Sequence, residues 1–193
     1  EVLQEFSNFI NNSAYGKEYS FEKILNTIDT HPNIFNKENI KEKFWKMYIL
    51  DSFLGNSNRS SSNWGFVVNA KEKYSKFSPI YSCGFCLYPQ ISDKEIETNI
   101  LLFPASKIMK DNDNTKNSNY AQTINSLNYK GCNNAIKWFV NNLNFQKIDN
   151  IINNTEKLSN KRKKFYSIIL RERFNYIIKP AYEKLKILNE EKG

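Results

Sequence analysis

The sequence predicts a mainly α protein, a helical bundle interrupted by one small β-hairpin. Three observations carry this. Apolar residues recur at three- and four-residue spacing through most of the 193 residues. One stretch, from Trp64 to Tyr81, reads as strand, turn and returning strand. Gly (6) and Pro (5) are too scarce for a sandwich or barrel built on many tight turns. With 40% hydrophobic and 25% charged residues, the chain falls among globular proteins and is long enough for a sizeable core.

Residues 1–29 read as helix. Phe6, Phe9 and Ile10 share one face, and Phe21, Ile24, Leu25 and Ile28 repeat the pattern. Asn12-Ser13 and Gly16 interrupt the two, and Ser20 suits an N-cap. His31-Pro32 breaks the chain before a strong helix over 37–54, which Gly55 ends. Residues 56–63 form a polar loop. Trp64–Val68 and Tyr74–Tyr81 are the two strands, and a second loop, 82–89, carries Gly84. Helical segments follow near 93–109, 120–128, 132–144 and 147–158, with a flexible loop over 111–119. The tail offers a helix over 160–178, stopped by Pro180, and a short last helix to about 189. Neither a repeat nor an internal boundary is visible. The expectation is one domain, 1–193, with a loop region at 51–89 and a basic helical tail at 157–193.

The formal charge is +8, and it is concentrated. Residues 157–193 hold eleven basic and four acidic residues, a local excess of +7. Lys161, Arg162, Lys163 and Lys164, with Arg171 and Arg173, either form a solvated face on a core helix or bind nucleic acid, an anionic membrane or an acidic partner. Four basic residues in a row also suit a nuclear-import signal. The three cysteines, Cys83, Cys86 and Cys132, point to a reducing, cytoplasmic compartment rather than a disulfide scaffold. Cys83 and Cys86 have CxxC spacing, but a zinc site needs about four ligands, and only Cys132 and His31 remain to complete one. Cys83 and Cys86 are read as structural or incidental, and His31 as a turn residue. No apolar run approaches the ~18 residues of a membrane span. The chain starts at Glu1, so a fragment or processed form is expected.

Chemistry concentrates in the two loops flanking the hairpin. The first reads Asp51-Ser-Phe-Leu-Gly55-Asn56-Ser-Asn58-Arg59-Ser60-Ser-Ser-Asn63-Trp64-Gly65. The second reads Pro79-Ile-Tyr81-Ser82-Cys-Gly84-Phe-Cys-Leu87. These resemble the motifs of the HipA-like family of bacterial serine/threonine kinases, roughly Asp-x-x-x-Gly-Asn-x-Asp-Arg-His-x-x-Asn-Trp-Gly and Pro-x-Tyr-Asp-x-Gly-x-x-Leu. Eleven positions match in order: Asp51, Gly55, Asn56, Arg59, Asn63, Trp64, Gly65, Pro79, Tyr81, Gly84 and Leu87.

The resemblance implies a kinase-like α+β C-terminal lobe whose hairpin carries the active-site loops. It places residue 58 as the base that orients a protein hydroxyl, and residues 63 and 82 as ligands of the metal on Mg-ATP. Asp51 and Arg59 would give structural support. At the key positions this chain departs. Asn58 stands where the family has the catalytic Asp, Ser60 where it has His, and Ser82 where it has the metal-binding Asp. Asn58 can position a hydroxyl but cannot take its proton, and Ser82 offers Mg²⁺ only a neutral oxygen. No Gly-rich loop or phosphate-pairing Lys strand precedes Asn58, so the N-lobe is expected to be absent. The reading is therefore the C-lobe of a serine/threonine kinase, inactive as it stands, using Mg-ATP in active relatives and no cofactor here. The alternatives are a pseudokinase scaffold for a protein partner or a missing N-lobe, a basic module for nucleic acid or an acidic partner, and an unrelated helical protein whose Asn58, Asn63 and Ser82 lie far apart.

Overall fold

The structure, a computed structural model, describes residues 1–10, 20–56, 58–99 and 120–191. The expected interruption at 12–16, the 100–109 part of the helix near 93–109, and the loop over 111–119 lie outside these residues. The chain divides into two compact units: Glu1–Met47 with Asn58–Cys83, and Tyr48–Ser57 with Gly84–Gly193.

The first unit is built on a three-stranded antiparallel sheet in the order β1-β2-β3. β1 is Val2–Glu5, β2 Gly65–Asn69 and β3 Tyr74–Phe77. The predicted hairpin is there, but it gains a third strand where helix was expected. Val2 to Glu5 pair with Val68 to Gly65, and Phe6–Phe9 form one 3-10 turn. That turn buries Phe6 and Phe9, so the three-residue spacing read as α-helix belongs to a single tight turn. β3 stops at Phe77 because Pro79 follows, and Pro has no N–H for a ladder.

Trp64 is the hub of this unit. Its ring stacks on Phe6 at 4.2 Å and on Phe77 at 5.6 Å, with Phe44 at 5.2 Å. Gly65 beside it is required by close approach: a Cβ there would stand 2.0 Å from the Gln4 carbonyl oxygen. α1 (Phe21–Thr30) begins at the expected Ser20 cap, whose hydroxyl accepts from the Lys23 N–H at 3.3 Å. Its Phe21 ring stacks on Trp45 in the first half of α2 (Lys37–Leu54). His31 sits in the turn after α1 with its ring edge-on to Phe9. Ser75 Oγ both accepts from the Phe35 N–H at 2.8 Å and donates to the Phe35 carbonyl, tying β3 to the turn before α2.

The second unit is helical. It takes the last two turns of α2, then α3 (Asp93–Asn99), α4 (Tyr120–Ser126), α5 (Lys130–Asn142), α6 (Phe145–Asn153) and α7 (Asn160–Arg173). A π-turn, Phe174–Ile178, leads into α8 (Lys179–Glu190). Pro180 was expected to stop the tail helix, yet the chain continues through it. The π-turn absorbs the mismatch: the Lys179 N–H reaches back five residues to the Phe174 carbonyl, and Pro180, which has no N–H, falls in the first turn of α8. Ile49, Phe53, Ile136, Phe139, Ile169, Ile177 and Leu185 are among the buried core residues. Cys132 lies in this core, and burial pushes its thiol up to about 12, so it is not a reactive cysteine.

α2 ends as a Schellman-type turn. Gly55 is left-handed (φ 69°), and the Asn56 N–H returns to the Asp51 carbonyl at 2.9 Å. A Cβ on Gly55 would lie 2.3 Å from an Arg173 nitrogen. Gly55→Ala therefore meets both the left-handed penalty, about 1–2 kcal/mol, and a clash with a buried side chain. In urea denaturation it is expected to lose more than about 2 kcal/mol. Gly84→Ala, with nothing within 4 Å of the new methyl, is expected to stay within about 0.5 kcal/mol.

Candidate functional site

The entry to the first loop is held within the second unit. Asp51 is 1% exposed, and its Oδ1 accepts from Asn56 Nδ2 at 3.0 Å. Asp51 is therefore not a solvated surface carboxylate, and it grips Asn56. The Tyr120 hydroxyl donates to the Asn56 carbonyl at 3.0 Å, so this residue is fixed at backbone and side chain alike.

The loop itself, in the first unit, is closed by its own side chains. Asn63 Nδ2 donates to the Asn58 carbonyl, and Asn63 Oδ1 accepts from the Ser60 N–H at 2.9 Å. One amide thereby ties both ends of the loop. Arg59 completes the arrangement: its Nη1 donates to the Asn63 carbonyl at 2.7 Å and to the Tyr81 carbonyl at 2.8 Å. A single guanidinium thus joins the loop carrying Asn58 and Asn63 to the residue before Ser82. Ser82 is exposed and left-handed (φ 57°). The Tyr81 ring packs inward, and its buried hydroxyl has no hydrogen-bond partner among the described residues. Burial pushes the Tyr81 phenol up, the Glu5 carboxylate adds to this, and the Arg59 cation opposes it.

What this arrangement can do follows from its donors. The two Asn and Ser82 supply amide and hydroxyl groups, all neutral at pH 7. Among the described residues no group of three or more His, Cys, Asp or Glu is placed to hold a metal ion. Mg²⁺ takes near-octahedral oxygen coordination anchored by carboxylates. Asn58, Asn63 and Ser82 offer that ion neutral oxygens and no carboxylate. An amide at residue 58 cannot act as a base.

The basic tail is far less free than its composition suggests. Arg162 bonds Asp93 and the carbonyls of Tyr88 and Ile91, and Lys163 donates to the Asn153 carbonyl at 2.7 Å. Arg171 grips Asp149 through both nitrogens at 3.0 and 2.6 Å, and this pairing, with Ser167, holds the Asp149 carboxyl below its usual value. Arg173, expected on a solvated or binding face, is 1% exposed. A sequence signal for its burial existed: Phe165, Ile169, Arg173 and Ile177 are spaced by four, on one helix face. Lys161 and Lys164 do face solvent.

Arg59→Ala removes two charge-assisted hydrogen bonds to carbonyls, each bond to a charged group contributing about 1.5–3 kcal/mol. It is expected to lower stability by roughly 2 kcal/mol or more. Arg59→Lys should recover less than half, because the lysine side chain is one atom too short to carry its ammonium to the Nη1 position. Denaturation midpoints of the two variants check both statements.

No protein-family model matches the chain. It is similar to the serine/threonine-protein kinase CtkA of Helicobacter pylori strain J99, 35% identical over 179 residues. That match covers 88% of this chain, which spans about half of the relative, 54% of its length. The fold is similar to the crystal structure of a Helicobacter pylori proinflammatory kinase CtkA, with a TM-score of 0.86 at 29% identity. That alignment covers 97% of this chain and 72% of the other. Sequence similarity and fold together support a kinase-like C-terminal lobe similar to that of CtkA.

Proposed function

We propose that this lobe is that of a pseudokinase, a loop pair kept in shape for recognition without phosphoryl transfer. The observation that supports it most is the donor set. Asn58, Asn63 and Ser82 lack any carboxylate, and the Asn63 amide is engaged by its own loop. In this reading 1–193 act as one lobe with 51–89 as the working edge. Asn58 takes the base position, Asn63 and Ser82 the metal positions, and Asp51 and Arg59 hold the frame. An active relative would bind Mg-ATP and phosphorylate Ser or Thr of a protein. Here a protein partner, or an N-lobe on a longer chain, is bound without that chemistry. No described helix is long and apolar enough to cross a membrane. A reducing, cytoplasmic setting suits free thiols. The nucleic-acid reading of the tail is the weaker one, since Arg162, Lys163, Arg171 and Arg173 all have partners within the protein.

Restoring the missing anions tests the mapping. Asn58→Asp with Ser82→Asp is expected to strengthen Mg²⁺ binding by ~10-fold or more over the unsubstituted chain, since carboxylates supply the ion's preferred ligands. Isothermal titration with MgCl₂ reads this directly. Equal Mg²⁺ affinity in the two proteins would contradict the assignment of residues 58 and 82.

A further inference from the structure

Arg173 lies against the end of α2, which leads into the first loop, and against Tyr88 of the second. Its Nη1 donates to the Ser52 carbonyl at 3.0 Å, in the last turn of α2. A cation here also suits the negative end of the helix dipole. Its Nη2 lies 3.1 Å from the Tyr88 hydroxyl, and its guanidinium carbon sits 5.5 Å from the centre of the Tyr88 ring. Gly55 leaves the space on which the guanidinium rests.

The segment that Tyr88 belongs to is unusual. Leu87 (φ 60°) and Tyr88 (φ 53°) are consecutive non-glycine residues in the left-handed region, a conformation that persists only where surrounding contacts over-determine it. Those contacts are visible. The Leu87 N–H donates to the Leu54 carbonyl at 3.0 Å, in the same last turn of α2. The Tyr88 carbonyl accepts from Arg162 Nη1 at 3.4 Å, one face of α7 thereby supplying two arginines to one residue. The end of α2 and the 87–88 turn therefore share a hydrogen bond and a buried cation.

We propose that Arg173 is a positioning residue that couples the entry of the first loop, 51–56, to the turn at Leu87–Tyr88, so that neither loosens alone. Its relevance to the loop pair rests on the reading under Proposed function, whereas the coupling does not depend on it. The test therefore uses no nucleotide or metal. Amide hydrogen exchange is compared in the unsubstituted chain, Tyr88→Phe and Arg173→Lys. Tyr88→Phe keeps the ring and removes only the hydroxyl, so it carries the test where the Arg173 variant fails to fold.

The expected result is that Tyr88→Phe speeds exchange about tenfold at Leu87 and also at Asn56, whose N–H bonds Asp51, with the Ile169 amide of α7 changing less than twofold. Faster exchange at Leu87 alone, or at neither amide, would overturn the coupling. A uniform rise that includes Ile169 would overturn it too, because Arg173 would then be a core residue with no specific hold on the two segments. Failure of the Mg²⁺ experiment alone would leave this coupling standing and remove only its link to a catalytic loop.

Discussion

The geometry of the candidate site depends on one guanidinium bound to two backbone carbonyls. Arg59 reaches Asn63 at 2.7 Å and Tyr81 at 2.8 Å, the last residue of the first loop and the residue just before the second. An arginine suits this task physically. A guanidinium is charged at neutral pH, and the two N–H donors of its Nη1 are held in a fixed plane, suited to two carbonyls at once. The hairpin it closes is carried by packing, with Trp64 stacked between Phe6 and Phe77 and Gly65 clearing room for β1. Without the stack, the clamp would hold two mobile ends; without the clamp, Ser82 would have no fixed relation to Asn63.

The matches to the kinase motifs and the departures from them divide along a physical line. The matching residues hold shape: Asp51 and Asn56 grip one another, Gly55 makes the left-handed turn, Arg59 clamps, and the Leu87 N–H satisfies the end of α2. The departures, Asn58, Ser60 and Ser82, are all exposed. Exchanging an exposed carboxylate or imidazole for a small polar group costs a fold little, within about 0.5 kcal/mol for most surface sites. Chemistry can thus be removed from this edge while its frame stays. That asymmetry is why the fold is plainly kinase-like and the donor set is not.

The sequence was most readable where local rules and tertiary packing agree. The helix over 37–54 and its glycine stop, the Ser20 cap and the hairpin were legible from periodicity and turn chemistry. β1 was not. It is an edge strand with Val2 and Leu3 both exposed, so it shows no inward–outward alternation, and the aromatics that follow mimic a helical spacing. Pro180 misled because a rule about helix interiors ignores the π-turn that can precede it. Arg173 misled because charge was counted along the chain rather than by face. In the two loops, the sequence named residues without showing how they connect. That Asn63 would be engaged by Asn58 and Ser60, and that Arg59 would reach Tyr81 rather than solvent, depend on how the two loops meet.

Thermal unfolding of the unsubstituted chain with ATP, with and without Mg²⁺, bears most directly on the central claim that the frame survives without the chemistry. A ligand present at 100 times its Kd stabilises by about 2.7 kcal/mol, a readily measured shift. The account predicts the same midpoint with and without Mg²⁺, because Asn63 and Ser82 provide no anionic ligand for the ion. A clear Mg²⁺-dependent rise in midpoint would contradict it and show that the neutral donor set binds the metal–nucleotide complex after all.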